Sequence, residues 1–323
     1  MNALDYLDLL IKALLLAGVY AAMAVGMTIV YGVMKIVNLA HAGFLMLGAY
    51  FALEMFQRFN MNPVLAAVLA LPVFFLFGML MHWTLVRWLP KSDTPTLASL
   101  LLMFGFWLVL QNLAYAQWGN EDQSILTPLT LSAVHIGDTI SIPKVNLVVF
   151  AAAVFCMVVL QIVFHRSWFG RSMRALIQNP YGAQIVGVDD ERTARLTFGL
   201  GTAFAGFAGA LLGMLYSFSP DFGRPFLLRS FVIIVLGGLE SVSGVALGAI
   251  VLAILETFST VIPFPLPPAW HWFYLLPWHW GEWQAAFLPP SYQPVIPFAL
   301  LVVVLVIMPK GLAGMFNRKW KTA

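Results

Sequence analysis

Apolar runs long enough to cross a bilayer recur along almost the whole chain, and they fix the solvent it folds in. A membrane-crossing helix needs about 20 largely apolar residues, because in hydrocarbon every backbone donor and acceptor must be satisfied within the segment. Candidate runs cover residues 7–34, 44–57, 63–88, 97–118, 145–164, 196–218 and 294–308. Between the last two lies RSFVIIVLGGLESVSGVALGAIVLAILETFSTVI, residues 229–262, with room for two embedded pieces on either side of GGLESVSG. Together these predict about nine crossings, one or two of them half-helices. The expected fold class is therefore all-α: a polytopic integral membrane protein with eight or nine transmembrane helices, some of them broken, in a single domain over residues 1–323.

Composition excludes the soluble alternative. Of 323 residues, 61% are hydrophobic and only 10% charged, against about 25% charged in soluble domains. The net charge of +3 is small, and most Lys and Arg fall in gaps between apolar runs. They mark orientation in a bilayer and give no nucleic-acid signal. A single cysteine, Cys156, excludes an intrachain disulfide and a Cys-based metal site, and reads as a small apolar residue facing lipid or a helix. The opening MNALDYLDLL has two Asp before its first Lys, unlike the basic start of a secretory signal, so the first run reads as a retained helix.

The basic gaps contain Arg87 and Lys91, then Arg166, Arg171, Arg174, Arg192 and Arg195, and finally Lys310, Arg318, Lys319 and Lys321. By the positive-inside rule these lie on the cytoplasmic side. The acidic GNEDQSIL, with Glu121 and Asp122, reads as external. Threading the crossings between them puts the N-terminus outside (periplasmic) and the C-terminus in the cytoplasm.

One of these gaps, RALIQNPYGAQIVGVDDERTAR over residues 174–195, concentrates charge together with a Pro and two Gly. Met173, Leu176 and Ile177 have helical spacing, followed by Pro180 and then Ile185 and Val186 before Gly187. The pattern describes a short amphipathic helix or helical turn outside the bilayer. It is either a connecting loop with orienting charges or a docking element for a soluble partner.

At these residues the chain resembles a known family: the integral-membrane permeases of high-affinity branched-chain amino-acid ABC importers, the LivH type. Five stretches carry the resemblance in the family's order. They are GVYAAMAVGMTIVYGVMKIVNLAHAGFLMLGAY, the segment with Arg174, Ala175, Asn179, Ala183 and Gly187, GTAFAGFAGALLGMLYSFSPDFG, VIIVLGGLESVSGVALGAIVLAILE and MPKGLAGMF. One such motif is weak evidence, and five in sequence are strong.

The resemblance implies a permease subunit of an ATP-driven importer in the bacterial inner membrane, working by alternating access. It implies a second, LivM-type permease, two ABC ATPase subunits that bind the ATP and Mg, and an extracytoplasmic solute-binding protein. Residues 171–190 become a coupling segment seated on an ATPase. Within it Pro180 fixes an entry angle, Ala183 and Gly187 are small enough for close approach, and Arg171 and Arg174 suit acidic rims. Branched-chain amino acids are the default cargo, with urea, amides and aromatic acids as alternatives carried by the same machinery. An ion-coupled secondary transporter is the competing class, and it usually places ionisable groups deep in the membrane. The Pro- and Trp-rich stretch 263–293 departs from the family pattern and reads as an external insert. Its tryptophans suit a headgroup belt or a shelf for the binding protein.

The expected substrate path lies at the two helix breaks, with Asn38, His41 and Gly43 at the first and Gly237, Gly238, Glu240, Ser241 and Gly244 at the second. Broken helices at membrane depth often bind transported solutes, although glycines there also serve tight packing. His41 reads equally as a hydrogen-bonded interfacial histidine. Each break is followed by a Gly-Ala step, Gly48-Ala49 and Gly248-Ala249, which suggests related halves. Glu54 and Glu256 lie in or near apolar runs, either at a wet helix end or in a functional position. No phosphate-binding Gly-x-x-x-x-Gly-Lys-Ser/Thr loop and no His-Glu-x-x-His occur, so neither enzyme activity nor a cofactor of this chain's own is expected. His271 and His279 lack neighbouring ligands for a metal.

Overall fold

A computed structural model describes residues 3–89, 95–136, 140–239, 241–259, 299–300, 302–304 and 306. The apolar runs are helices: α1 (Ala3–Met34), α2 (His41–Phe59), α3 (Pro63–Thr84), α4 (Pro95–Trp118) and α5 (Lys144–Arg166). They continue with α6 (Trp168–Gln178), α7 (Pro180–Ile185), α8 (Asp190–Leu215), α9 (Gly223–Gly237) and α10 (Val242–Ser259). Among the described residues six helices are long and apolar enough to cross a membrane: α1, α3, α4, α5, α8 and α10. The helix α2 and the short α9 complete the bundle. Of the last expected crossing only residues 299–300, 302–304 and 306 are described, all of them helical, and the 263–293 stretch with His271 and His279 falls outside the described residues.

The helix boundaries follow local chemistry. Asn62 caps α3 by accepting the Val64 amide at 2.9 Å, with Pro63 in the first turn where its missing N–H costs nothing. The preceding Asn60 takes a left-handed φ of 49° to end α2. Helix α8 starts earlier than the apolar pattern suggests, at Asp190 and not near Leu196. Asp189 caps it by accepting the Arg192 amide at 2.8 Å, and Asp190 and Glu191 in its first turn suit the positive end of the helix dipole. Charges read as loop are thus the first turns of a helix.

The core is built on α8. Its sequence GLGTAFAGFAGALLG places Gly and Ala where other helices cross, and α1, α2 and α3 all pack against it. A Cβ on Gly48 of α2 would strike the backbone of Gly206, and one on Gly209 would strike the carbonyl of Leu45. Helices α1 and α8 are consequently almost wholly buried, while α3, α4 and α5 expose most of their apolar surface. Side chains such as Leu76, Leu101 and Phe155 are over 60% exposed, which suits lipid as solvent.

Among the described residues the all-α expectation meets one small sheet. Strands β1 (Ala133–Ile136) and β2 (Ile140–Pro143) form an antiparallel hairpin in register Ala133 to Pro143, and Ile140 and Ile142 pack on Leu15 of α1. A short alternating run among long apolar runs gives little periodic signal, so sequence pattern passes over it.

Candidate functional site

The segment joining α5 to α8 folds as two helices, α6 and α7. Ser167 caps α6 by accepting the Gly170 amide at 2.9 Å. The inner face of α6 buries Met173 and Leu176, and the side chain of Ile177 lies against Gly32 of α1. Asn179 then caps α7, accepting the Gly182 amide at 3.0 Å, with Pro180 at the first helical position. Helix α7 ends in a Schellman arrangement: the Gly187 amide donates to the Gln184 carbonyl and the Val188 amide to the Ala183 carbonyl, both at 3.0 Å. Gly187 itself has φ 84° and open space around its Cα.

These positions redistribute the roles expected within 171–190. Gly187 serves the left-handed turn, and among the described residues nothing lies within 4 Å of where its Cβ would stand. Ala183 is buried against its own chain. Arg174 donates to the Phe164 carbonyl and lies over the Phe164 ring, so it ties α6 to the end of α5. Arg171 is exposed, 5.2 Å above the Trp168 ring. Ala175 accepts the Asn179 amide at 2.9 Å, closing α6. Outward the segment presents apolar side chains among polar ones: Tyr181, Ile185 and Val186 are 81%, 86% and 77% exposed, beside exposed Gln178, Asn179 and Gln184. Sequence spacing placed Ile185 and Val186 on the helix but left Tyr181 aside; an aromatic after Pro and before Gly was the available signal.

Replacing Gly187 with Val forces a β-branched residue into the left-handed region, costing about 1–2 kcal/mol. Amide hydrogen exchange of residues 180–188 is expected to accelerate about tenfold or more, with the middle of α8 unchanged. Equal exchange in both proteins would show that the turn does not hold α7.

At the first break, Lys35 takes φ 54° and the chain turns through 36–40 into α2. His41 is buried with Nε2 3.1 Å from the Met23 carbonyl, which is the hydrogen-bonded histidine reading. Asn38 is 2% exposed, and its side-chain oxygen has no hydrogen-bond partner among the described residues. Gly43 lies under Leu110 and Trp107 of α4. At the second break, Gly238 takes φ 100°, and Ser241 accepts the Gly244 amide at 3.0 Å to start α10. Gly237 and Gly244 abut each other, and a Cβ on Gly248 would meet the Ile233 carbonyl at 2.6 Å, so α9 and α10 form a tight hairpin. Glu240 lies outside the described residues. Of the expected path residues, then, Gly43, Gly237 and Gly244 serve close packing.

The two carboxylates flagged in apolar runs have different surroundings. Glu54 sits near the end of α2, where it accepts from the Trp118 indole at 2.7 Å and pairs with Arg58. Glu256 is buried: Arg229 of α9 donates to its two oxygens at 2.9 and 3.2 Å, and the Tyr20 hydroxyl of α1 at 2.7 Å. The pattern of charges in gaps missed this ion pair because its partners are 27 residues apart, each in an apolar run. Outside the bundle, Asp221 accepts from Gln111 at 2.6 Å and Tyr115 at 2.5 Å, fastening the α8 to α9 connection to α4. Among the described residues no group of three or more His, Cys, Asp or Glu is arranged to hold a metal ion.

Residues 9–305 match the model of a family described as the permease component of the branched-chain amino acid transport system. The chain is 27% identical over 322 residues to the high-affinity branched-chain amino acid transport system permease protein LivH of Escherichia coli K12, covering 96% of each chain. It is 26% identical over 321 residues to LivH of Salmonella typhimurium, again 96% of each. It is 26% identical over 320 residues to the corresponding BraD protein of Pseudomonas aeruginosa, with the same coverage. No solved structure matches.

Proposed function

The chain belongs to the branched-chain amino acid transport permease family, and from that premise we propose that it is the permease subunit of an ATP-driven importer of branched-chain amino acids. It is a multi-pass membrane protein of a transport permease family, and the bacterial inner membrane is its proposed location. The observation that carries the reading is end-to-end similarity to permeases of that transport system, over 96% of both chains.

Transport is by alternating access. A loaded binding protein docks outside, two ATPase subunits carry the ATP and Mg, and substrate passes between this chain and a second, homologous permease. This chain itself performs no covalent chemistry. The α6–α7 segment transmits the ATPase movement: α6 is anchored to α1 and α5 by its buried face and by Arg174, while α7 offers Tyr181, Ile185 and Val186 to the partner. A rigid inner face with apolar side chains exposed on the outer one is what a lever between two subunits requires. This reading puts α6 and α7 in the cytoplasm with the N-terminus outside and the C-terminus inside.

The buried Arg229–Glu256 pair is the observation that favours the competing ion-coupled class, and reconstitution separates the two. In liposomes the purified chain is expected to accumulate no branched-chain amino acid under an ion gradient and to hydrolyse no ATP. The complete complex with ATPases and binding protein is expected to accumulate leucine on ATP addition. Gradient-driven accumulation by the chain alone would overturn the importer reading. Uptake of urea, an amide or an aromatic acid in place of leucine would keep the machinery and change the cargo.

A further inference from the structure

A charge pair inside an apolar bundle is costly to bury, and well-packed hydrophobic residues hold helices together as well or better. Arg229 and Glu256 nevertheless join α9 to α10, with side chains 13% and 8% exposed, while Tyr20 of α1 holds the second carboxylate oxygen. Near them lies a cavity of about 200 Å³ whose wall is formed by Leu15, Leu16, Leu215, Tyr216 and Thr257 together with Lys12 and Asn146. The pair itself is not part of this wall, and Tyr216 and Phe226 lie between the two. Leu16 precedes Tyr20 by one helical turn, and Thr257 follows Glu256. Tyr216 lies 6.0 Å from the Phe226 ring, over which the Arg229 guanidinium stands at 5.3 Å.

We propose that Arg229 and Glu256 are a zwitterion subsite on the translocation path, the pair opening to take a free amino acid between its two charges. This rests on the importer reading above and names where in this chain its cargo is held. The substrate carboxylate replaces Glu256 on the guanidinium, whose planar fork suits a carboxylate. The substrate ammonium replaces Arg229 on Glu256, and Tyr20 continues to hold that carboxylate in place. Each buried ion exchanges one partner for another of the same sign, so no charge is left uncompensated at any stage. The aliphatic side chain points past Tyr216 toward the three leucines of the cavity, Leu15, Leu16 and Leu215.

Handedness makes the proposal testable, since exchanging ammonium and carboxylate about a tetrahedral Cα converts an L fit into a D fit. The probe is millimolar L- or D-leucine added to the assembled transporter in detergent without binding protein, read by saturation-transfer NMR. The wild-type complex is expected to favour L-leucine. The neutral Arg229→Gln/Glu256→Gln complex should lose at least tenfold of that signal, and the charge-exchanged Arg229→Glu/Glu256→Arg complex should favour D-leucine. Wild-type L-leucine binding in the neutral variant, or an unchanged L preference in the exchanged one, would overturn the subsite and leave the pair a packing device. Should either variant fail to assemble, Leu16→Trp fills the cavity with the pair intact; it should weaken L-leucine at least tenfold, and an unaltered signal overturns the proposal. ATP-driven leucine uptake by the wild-type complex, measured separately, keeps the two readings apart. Its absence defeats the importer assignment, whereas its presence with a neutral variant that binds L-leucine normally defeats the subsite alone.

Discussion

Gly209→Val is expected to remove folded permease from the membrane, whereas Gly105→Val, another glycine in an apolar helix, is expected to leave its amount unchanged. At Gly209 a Cβ would overlap the Leu45 carbonyl of the neighbouring helix, which is backbone and cannot rotate away. Helices α2 and α8 would have to separate along the whole stretch where Gly48 meets Gly206. Overpacking a well-filled core costs about 1–3 kcal/mol and occasionally more, and a branched side chain against backbone lies at the upper end. Domains have only about 5–15 kcal/mol of stability to lose. Gly105 lies on the exposed face of α4, and among the described residues nothing comes within 4 Å of where its Cβ would stand, so the same substitution meets only the surrounding medium. Detergent-extracted protein, read by fluorescence size-exclusion chromatography, checks both. A normal monodisperse peak for Gly209→Val would show that the α2–α8 approach is not what holds the core.

The second large effect falls on transport with the fold intact. Tyr181→Asp combined with Ile185→Asp puts charge on the two most exposed apolar side chains of α7. Neither is needed by the chain's own core, so insertion and detergent behaviour should be unchanged. Central aromatic and aliphatic anchors of an interface are often worth about 2 kcal/mol each, roughly 30-fold apiece. The doubly substituted permease is expected to lose its ATPase subunits on purification and to import nothing measurable. Tyr181→Cys in a Cys156→Ala background tests placement as well: a maleimide should react from the cytoplasmic side, and assembly with the ATPases should protect it. Wild-type import by the double variant would show that the α6–α7 segment is a connecting loop. Labelling from the outside would reverse the orientation proposed for the whole chain.

Apolar run length alone located α1, α3, α4, α5 and α8, because a bilayer leaves a polypeptide little choice but helix and requires a minimum length of it. The order of short motifs along the chain identified the family, and the helical spacing of Met173, Leu176 and Ile177 up to Pro180 was legible because it is local to a few residues, although the role of Asn179 as the cap of α7 was not read from it. What was not legible depends on residues distant in sequence. A glycine in a transmembrane helix reads the same whether it meets another backbone, as Gly206 and Gly209 do, or faces outward, as Gly105 does. Charge counts placed Arg174 with the orienting arginines, but only the return of α6 onto the end of α5 shows its hydrogen bond to Phe164. Tyr20 and Glu256 are 236 residues apart, and although Glu256 stood out in its apolar run, nothing in the sequence named its partners. The sequence by itself determined that this chain is a helical membrane protein, because the bilayer acts on each segment separately, and its motifs in order marked it as resembling a permease. Which glycines are contacts, which charges are paired, and which face of the α6–α7 segment is open were decided only by tertiary structure, since each is a relation between helices that no single segment encodes.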